Sequence, residues 1–430
     1  MTTVRVGLLG CGNVGAALVE LLDGHGPAIK SRTGLALELV RVAVADPSKP
    51  RSPLLGPELL TSDPREVVDD PSIEIVVELI GGIDPARDLV LDALRAGKSV
   101  VTANKELVAN FGIELHAAAG VSGAELLYEA SVGGGIPLVR PLRESLAGER
   151  ITRVMGIVNG TTNYILTKMT EDGTSYGVAL EEAQSLGYAE RDPTADVDGY
   201  DAAAKGAILA TIAFGQAVVA DDVHREGIRS ITAADIARAR RLGFVVKLLV
   251  VAERDLEDRI SVRAHPALVP ATHPLASVRD AFNAVFIEGD AVGELMLYGR
   301  GAGGRPTASA VLGDLVDAAH GRAGSDTRVA MAALPPARLI PIGELQSAYY
   351  LSIEVLDRPG VLAQVAGVFG EHGVSIRSME QHGLGDEAQL IFHTHDVREA
   401  DMQATIENLE KLSSVDRVGT LLRVVGDADL

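Results

Sequence analysis

The sequence has few cysteines and few aromatic residues. Its 430 residues include one cysteine, Cys11, no tryptophan, and only 3% of Phe, Trp and Tyr together. One cysteine cannot form a disulfide within the chain, and the Cys and His spacings of a structural zinc site are missing. These absences exclude proteins stabilised by internal disulfides or by structural zinc, and they predict a reducing, cytoplasmic setting.

Long apolar runs and an excess of positive charge are also missing. No apolar run reaches the ~20 residues that span a bilayer, and the first residues lack the basic and apolar regions of a secretion signal. We therefore expect no membrane association. The formal net charge is −20, whereas binding to a phosphate backbone requires clustered Lys and Arg, so nucleic acid is not expected as a partner. The remaining composition is that of an ordinary globular protein.

The first third of the chain alternates predicted strands and helices. Four apolar runs rich in β-branched residues are typical of buried strands: 4–9, 37–46, 73–82 and 98–105. Helical spacing follows at 16–22 and 85–97. This order predicts an α/β, Rossmann-type domain with a parallel sheet over 1–130. A glycine turn and a helix at about 303–325 are expected to return to it, which makes the domain discontinuous.

Two further domains are predicted. Residues 131–302 combine strands with an alanine-rich helix at 200–214, which favours an α+β domain for substrate binding and dimerisation. The proline-bearing stretch 326–348 is predicted to be a linker. Residues 349–430 read β-α-β-β-α-β, a ferredoxin-like module, whose first helix is expected to have Asp357 near its N-cap and Pro359 in its first turn.

A glycine motif lies between the first predicted strand and the first predicted helix. Gly10 permits a tight turn, Gly12 lets the backbone approach a pyrophosphate, and Gly15 brings helix and strand together. The helix N-terminus attracts the anion. The alternative is a tight turn without a ligand. The candidate cofactor-binding residues of the motif are Gly10, Gly12, Asn13, Val14 and Gly15.

The choice between NAD and NADP stays open. Asp46 ends the second predicted strand, where an acid binds the ribose hydroxyls of NAD. Lys49 and Arg51 follow closely and could hold a 2′-phosphate instead. Lys105 ends the fourth predicted strand and is expected to point into the cofactor crevice, since ligands collect beyond the carboxyl ends of parallel strands. Its alternative is a surface lysine at a helix start.

An acid-rich loop precedes the alanine-rich helix. Asp201 and Lys205 are four residues apart, so a helix places them on one face. They form either a solvated ion pair or part of a polar pocket in which a lysine titrates. Two lysines near one pocket, Lys105 and Lys205, would lower each other's pKa and could transfer a proton near neutral pH.

Two loops offer further polar groups. The stretch 159–163, NGTTN, supplies hydroxyls, amides and backbone N–H groups for a substrate carboxylate or amino group, or it is only a helix cap. The stretch 129–137, EASVGGGIP, places Glu129 beside accessible carbonyls, which suits a hard cation. Its alternative is a hinge between domains.

Four segments in this order resemble the homoserine dehydrogenase family: 7–15, 101–105, 159–166 and 187–205. Residues 349–425 resemble an ACT regulatory domain. The resemblance implies reversible NAD(P)H-dependent reduction of L-aspartate 4-semialdehyde to L-homoserine, in the biosynthesis of threonine, methionine and isoleucine. It implies that Lys205 and Lys105 move the proton and that Asp201 supports them. The implied substrate-binding residues are Glu190, Asp196, Tyr188, Thr162 and Gly160.

The resemblance also implies a monovalent cation, Na⁺ or K⁺, bound partly by main-chain carbonyls of Glu129, Val132, Gly134 and Ile136. The ACT domain implies feedback by L-threonine and a homodimer or homotetramer, with the effector turn at Asp357, Gly360 and Val361. The sequence departs from the family in two places. Gly82 stands where a hydroxyl residue could contact the cofactor, and Ala45 precedes Asp46 without a basic residue, which weakens strict NADP preference.

Two other functions stay open at this point. The first is a different NAD(P)-dependent reductase of amino acids or carbonyl acids on a similar scaffold. The second is a sensor of nucleotides and amino acids without turnover. Lys105, Asp201 and Lys205 together argue against a sensor, because a sensor needs no proton shuttle.

Overall fold

The computed structural model of the chain describes residues 2–49, 52–321, 336–383 and 387–425. Arg51 and residues 326–335 of the predicted linker lie outside the described residues. Among the described residues, no helix combines the length and the apolar character needed to cross a lipid bilayer.

A parallel sheet forms the N-terminal part, as predicted. Its strands are β1 (Thr2–Leu9), β2 (Leu35–Ala43), β3 (Leu60–Thr61), β4 (Ile75–Glu78), β5 (Ser99–Thr102) and β6 (Leu126–Leu127). They lie side by side in the order β3-β2-β1-β4-β5-β6, all parallel. The helices are α1 (Asn13–Thr33), α2 (Arg65–Val68), α3 (Ala86–Arg95) and α4 (Lys105–Ser122). Order and direction are those of a Rossmann-type fold.

Two local predictions in this part were wrong, and α1 is longer than the helical spacing at 16–22 indicated, since it continues through Pro27 to Thr33. Asp46 does not end β2, because the strand stops at Ala43. Lys105 does not end β5 either; it is the first residue of α4, capped by the Asn104 side chain, which accepts from the Leu107 N–H at 3.1 Å. Both residues lie beyond their strand ends, Asp46 in the following turn and Lys105 in the following helix.

The central part builds a second, mainly antiparallel sheet. Its strands are β7 (Ile151–Ile157), β8 (His224–Arg225), β9 (Phe244–Arg254), β10 (Ile260–Pro270), β11 (Phe282–Gly289) and β12 (Gly293–Arg300). The helices are α5 (Gly160–Glu171), α6 (Tyr176–Ser185), α7 (Thr194–Val197), α8 (Tyr200–Phe214), α9 (Ala233–Arg241) and α10 (Gly304–Gly321). Helix α10 leaves this sheet and packs into the apolar core around α1 and β1, where Ala308, Val311 and Leu315 are buried.

The C-terminal part has the predicted strand and helix order. It contains β13 (Gln346–Leu356), α11 (Val361–Glu371), β14 (Ile376–Gly383), β15 (Glu387–Thr394), a short β16 (Val397–Arg398), α12 (Glu399–Leu409) and β17 (Val415–Val424). The start of α11 differs from the prediction. Its N-cap is Gly360 at φ +90°, so Asp357 is not near the cap and Pro359 precedes the helix.

The C-terminal sheet is continuous with the central one. Strand β17 pairs with β10 in parallel, with Ala267 opposite Arg423 and Leu268 opposite Val424. The strand order therefore runs β12-β11-β7-β9-β10-β17-β13-β15-β14. The sequence did not suggest this junction, because β10 itself was not predicted. Pro266 and Pro270 interrupt its apolar pattern, and proline is disfavoured inside strands.

A buried charge network ties this junction together. Arg423, 2% exposed, donates two hydrogen bonds of 2.8 Å to the carboxylate of Glu399 on α12. Its Nη1 also lies 2.7 Å from Glu226 Oε1, on the loop after β8. Since one guanidinium serves acids from both parts of the molecule, its removal takes the cationic partner from the buried Glu399 and from the half-buried Glu226.

We expect Arg423→Met to lower the free energy of unfolding by about 3–5 kcal/mol, the usual cost of removing one partner of a buried ion pair. The measurement is the urea midpoint of the full chain. Arg417→Met is the matched control, because Arg417 lies on the same strand and pairs at the surface with Glu354, where such pairs contribute at most about 1 kcal/mol. Equal midpoints for the two variants would contradict the expectation.

Candidate functional site

The glycine turn fits a dinucleotide phosphate. Gly10 has φ +91°, and a Cβ there would lie 2.7 Å from the Leu79 carbonyl oxygen. A Cβ on Gly15 would lie 2.7 Å from the Gly10 carbonyl oxygen. Gly12 differs, since a Cβ there would meet no atom within 4 Å, and it caps α1 without a side-chain hydrogen bond. Asn13 and Val14 are the first residues of α1. The first N–H groups of the helix therefore face an open approach for an anion.

The second half of the predicted nucleotide surface consists of the turn after β2 and the loop after β4. Asp46 lies in the turn after β2, and its Oδ1 accepts from the N–H and the hydroxyl of Ser48, at 3.0 and 2.6 Å. Lys49 follows in the same turn. Gly82, at φ +69°, has open space at its Cβ position, and its carbonyl accepts from Asn104 Nδ2 at 2.6 Å.

A cleft of about 300 Å³ separates this nucleotide surface from the central sheet. Both lysines selected from the sequence line it, Lys105 from α4 and Lys205 from α8. Its other lining residues are mostly small: Gly81, Gly82, Ala103, Asn104, Glu106, Ala130, Ser131, Gly134, Gly301, Ala302 and Thr307. Small residues leave room for a planar ring beside the two ammonium groups.

Asp201 holds the two lysines together. Its buried carboxylate accepts from Lys105 Nζ at Oδ1 and from Lys205 Nζ at Oδ2, the latter at 2.8 Å. Burial alone would raise the pKa of Asp201, but the charges of Lys205 and Lys105 outweigh it and hold that pKa well below its usual range. Asp201 is therefore ionised at neutral pH. The pair is part of a polar pocket, not a solvated surface pair.

The prediction that the pKa of Lys105 is lowered was wrong. Burial by itself lowers the pKa of Lys105, but the adjacent Asp201 carboxylate raises it more, and the net shift is upward from the usual value. The two lysines do not simply repel each other, because an acid that is 3% exposed at its side chain lies between them.

Lys205 has one hydrogen-bond donor that no protein group uses among the described residues. Its Nζ donates to the Val158 carbonyl at 2.7 Å and to Asp201, and an ammonium group has three donors. Among the described residues no third acceptor contacts it. The Lys205 side chain is only 12% exposed and lines the cleft, so the third N–H is available to a ligand oxygen there.

Polar residues from α5 and α7 extend this cluster. Asn159 caps α5, accepting from the Thr162 N–H at 2.8 Å, and its Nδ2 donates to both Asp196 and Asp201, at 2.7 and 2.9 Å. The Thr162 hydroxyl also bonds to the Asn159 side chain at 2.8 Å. Gly160 packs against backbone, since a Cβ there would lie 2.8 Å from the Ala281 carbonyl oxygen.

Tyr188 and Glu190 lie apart from the buried cluster, on the exposed loop between α6 and α7. The Tyr188 ring packs on that of Tyr164, with 4.9 Å between ring centres. The Glu190 carbonyl accepts from Gln184 Nε2 at 2.9 Å. The structure thus brings together Lys105, Asp196, Asp201 and Lys205, and it leaves these two side chains at the surface.

Glu78 and Asn104 shape the cleft and were not selected from the sequence. Glu78 is buried at the end of β4, where its Oε1 accepts from the N–H groups of Ile80 and Gly81, at 2.8 and 3.0 Å. Asn104 Nδ2 donates to the carbonyl of Gly82, the next glycine of the same loop. An acid at the end of an apolar strand, followed by two glycines, was the available signal for Glu78.

The loop expected to bind a cation lies between the cleft and α10. The carboxylate of Glu129 is buried and accepts from three backbone N–H groups, those of Leu138, Val139 and Arg140, at 2.5 to 2.8 Å. It therefore anchors the backbone of residues 138–140. One carboxylate lone pair and the main-chain carbonyls of Glu129, Val132, Gly134 and Ile136 remain as ligands that a cation here could use. Gly134, at φ +58°, approaches Gly301 so closely that a Cβ would lie 2.5 Å from its carbonyl.

Asp314 on α10 completes the polar contacts of this loop. It accepts from the Glu129 N–H at 2.8 Å and from Arg140 at 3.0 Å. Burial raises the pKa of Asp314 to about 7, although the hydrogen bond from the Glu129 N–H and the charge of Arg140 oppose the rise. Within the described residues, no cluster of three or more His, Cys, Asp and Glu side chains could hold a metal ion.

Taken together, a Rossmann-type sheet, an open glycine turn and a lysine pair at the cleft define a nucleotide-dependent oxidoreductase. Family profiles agree with this class. The profile "Homoserine dehydrogenase, NAD binding domain" matches residues 10–129, "Homoserine dehydrogenase" matches 137–316, and "ACT domain" matches 349–414.

Relatives cover the whole chain. A homoserine dehydrogenase of Corynebacterium glutamicum is 48% identical over 99% of this chain and 96% of its own length. One of Synechocystis is 45% identical over 98% of this chain and all of its own length. The solved structure of a homoserine dehydrogenase from Thiobacillus denitrificans is 42% identical, covers 99% of this chain and 98% of its own, and superposes with a TM-score of 0.93.

The chain belongs to the homoserine dehydrogenase family and carries a C-terminal ACT domain. It is an NAD(P)-dependent oxidoreductase that interconverts L-aspartate 4-semialdehyde and L-homoserine. An archaeal member, 31% identical over 74% of this chain with a TM-score of 0.64, was solved in complex with NADPH.

We expect Gly12→Ala to weaken NADP(H) binding at least about tenfold while the free protein keeps its stability, because the added methyl group meets only open space until the pyrophosphate arrives. The measurement is fluorescence titration with NADPH, alongside thermal unfolding. Gly24→Ala, in the same helix and equally open, is the control and should leave the affinity unchanged. An unchanged affinity in Gly12→Ala would contradict a pyrophosphate at this turn.

Proposed function

We propose that Lys205 is the residue that exchanges a proton with the substrate oxygen. The observation that carries this proposal is that Lys205 lines the cleft while Val158 and Asp201 take only two of its three ammonium N–H donors. When bound, the nicotinamide supplies the hydride that reduces the aldehyde carbon. Lys205 donates a hydrogen bond, and then a proton, to the oxygen on which negative charge develops.

Asp201 and Lys105 support this step. Asp201 fixes the position of Lys205 Nζ, and its own charge is held by two lysines, so it does not compete for the transferred proton. The raised pKa of Lys105 keeps it cationic near neutral pH, where its charge stabilises the developing alkoxide. Both proposed roles require Lys105 and Lys205 on opposite sides of one carboxylate, which is the observed arrangement.

The acids beside the lysines suit the substrate ammonium group. Asp196 is half-buried next to Asn159, which donates to it and to Asp201. We assign Asp196 and Glu190 to the ammonium, with Thr162, Gly160 and Tyr188 shaping the same end of the pocket. Glu190 would then have to turn inward from the exposed loop when substrate binds.

The remaining parts of the proposal concern cofactor, cation, regulation and assembly. The nucleotide surface admits NADP or NAD. A sodium or potassium ion would bind the carbonyls of the 129–136 loop. L-threonine would act on the ACT domain at the turn of Asp357, Gly360 and Val361, where Gly360 has open space at its Cβ position. The assembly is a homodimer or homotetramer in the cytoplasm.

The proposed domains are a nucleotide-binding part at 1–130 with about 303–325, a catalytic part at 131–302, a linker at 326–348 and the ACT part at 349–430. The return of α10 to the core around α1 supports the discontinuous first domain. The proposed linker is not free along its described length, since the Ile340 N–H donates to the Ile260 carbonyl at 2.8 Å.

Lys205→Ala tests the catalytic assignment. We expect kcat for L-homoserine oxidation to fall about 10²-fold or more, in line with losing a positioned general acid, while NADPH affinity stays the same. Lys168→Ala is the control, because Lys168 pairs with Asp172 and Glu182 at the surface. Unchanged turnover in Lys205→Ala would remove Lys205 from the mechanism.

The regulatory assignment is tested by the oxidation of NADPH, and separately of NADH, on addition of L-aspartate 4-semialdehyde with and without L-threonine. We expect activity that L-threonine suppresses. Activity that L-threonine does not change would keep the dehydrogenase and reject the threonine effector, whereas activity with one nucleotide only would decide the cofactor.

A further inference from the structure

The loop that follows β4 presents bare backbone to the cleft. Its glycines, Gly81 and Gly82, have φ angles of +79° and +69°, and a Cβ at either position would meet no atom within 4 Å. Both line the cleft that also contains Lys105 and Lys205. We call residues 80–82 the platform. At its two glycines no side chain occupies the cleft, which leaves room for a planar ring.

Glu78 holds the platform in place. It is the last residue of β4 and is fully buried. Its Oε1 accepts from the N–H groups of Ile80 and Gly81, at 2.8 and 3.0 Å, and its Oε2 accepts from the Thr102 hydroxyl at 2.6 Å. A buried acid is costly unless its oxygens are hydrogen-bonded. Here those hydrogen bonds come from the platform and from the neighbouring strand.

Thr102 links Glu78 to the start of α4. Glu78 and Thr102 end the parallel strands β4 and β5 and lie opposite each other. The Thr102 hydroxyl oxygen also accepts from the Asn104 N–H at 2.9 Å, and Asn104 is the N-cap of α4. Lys105 is the next residue. The chain of hydrogen bonds from the platform therefore ends beside the lysine whose ammonium group contacts Asp201.

Asn104 makes a second link between the same two parts. Its Nδ2 donates to the Gly82 carbonyl at 2.6 Å, while its Oδ1 accepts from the Leu107 N–H at 3.1 Å. One side chain thus bonds to the last residue of the platform and to the first turn of α4. Together, Glu78 and Asn104 fix all three platform residues relative to that helix.

The platform is also joined to the glycine turn. Leu79, the residue before it, donates its N–H to the Leu9 carbonyl at 2.7 Å. The Leu79 carbonyl oxygen is the atom that a Cβ on Gly10 would approach to 2.7 Å. The glycine turn, the platform and the start of α4 are therefore one connected unit at the carboxyl ends of the parallel strands, where a dinucleotide binds.

We propose that Glu78 and Thr102 are positioning residues of the dehydrogenase reaction. With Asn104 they fix the platform, against which the nicotinamide ring lies, at a set distance from the Lys105 ammonium group. The inference rests on the proposed function, in which that ammonium group stabilises the developing alkoxide. Hydride transfer requires the ring, the substrate carbon and this charge in one alignment, so a small displacement slows the reaction without preventing binding.

Two variants each remove one link. Thr102→Val replaces the hydroxyl that joins Glu78 to Asn104 with a methyl group of similar size. Asn104→Ser keeps an N-cap oxygen for the Leu107 N–H, but the serine side chain is too short to reach the Gly82 carbonyl. Because the cap is kept, Asn104→Ser tests the inference even where Thr102→Val does not fold.

Thr61→Val is the matched control. Thr61 ends β3 in the same sheet, and its hydroxyl donates to an acid, Glu66, at 2.9 Å. Its hydroxyl oxygen accepts from the N–H two residues later, that of Asp63, at 3.1 Å. These contacts repeat those of Thr102, but they lie at the other end of the strand order and outside the cleft.

The first measurement is L-homoserine oxidation, with the substrate unlabelled and deuterated at its hydroxyl-bearing carbon. We expect kcat to fall about tenfold in Thr102→Val and in Asn104→Ser, because misalignment slows hydride transfer. The deuterium isotope effect on kcat should rise in both, since that step then limits the rate more strongly. NADPH affinity by fluorescence titration should stay the same, and Thr61→Val should change none of these quantities.

The second measurement is amide hydrogen exchange in the free protein. We expect the N–H groups of Ile80 and Gly81 to exchange faster in Thr102→Val than in the unaltered protein, because Glu78 has lost the contact that fixes it. Thr61→Val should leave this exchange unchanged. Unchanged exchange in Thr102→Val would contradict the proposed link between Thr102 and the platform.

The kinetic outcomes separate positioning from a general loss of structure. A lower kcat with an unchanged isotope effect would overturn the inference, as would an equal loss in Thr61→Val. Absence of L-homoserine oxidation in the unaltered protein would reject the proposed function. Oxidation that is present there and unchanged in both cleft variants would reject this inference alone.

Discussion

The catalytic arrangement depends on one buried carboxylate that receives a lysine from each side. Asp201 and Lys105 are 96 residues apart in the chain, and they belong to two helices, α8 and α4, that pack against each other. A carboxylate with a side chain 3% exposed is costly unless it is paired. The contact therefore fixes how the nucleotide-binding sheet meets the central sheet, and it orients Lys205 at the same time.

The two halves of the site use different chemistry. The nucleotide side is formed by backbone, with Gly10, Gly12 and Gly15 allowing close approach. The substrate side is formed by charged and amide side chains that bond to one another, from Asn159 to Lys205. Backbone N–H groups suit the phosphate of a cofactor that many proteins bind, whereas the network of side chains determines which substrate atoms find hydrogen-bond partners.

Much of the fold follows from local sequence pattern. The parallel sheet, the glycine turn and the ACT element order were predicted because each depends on periodicity or on short motifs. The pairing of Asp201 with Lys205 follows from helical spacing alone. Its pairing with Lys105 does not, since that depends on how two domains meet. Helix α1 extends beyond the predicted 16–22 and through Pro27 to Thr33, since packing against α10 compensates for poor local helix propensity.

Features that depend on contacts between distant segments could not be predicted from the sequence. Strand β10 has two prolines in an otherwise apolar run, so its pattern is weak, and its partner strand β17 lies near the other end of the chain. The cavity of about 400 Å³ where the catalytic and ACT sheets join collects residues from seven strands. No single segment signals that Arg263 and His265 face a shared space, because the walls exist only after the sheets have joined.

The continuous sheet gives the ACT domain a second role, as protection for a strand edge. The outer edge of β10 is covered in sections, by β8 opposite Arg263, by β17 opposite Ala267, and by the linker at Ile260. An uncovered edge of such an apolar strand is a template for pairing with other chains. Loss of the ACT domain would therefore uncover the edge of β10 at Ala267 and Leu268 unless β10 itself were altered, so the regulatory domain also shields a strand of the catalytic part.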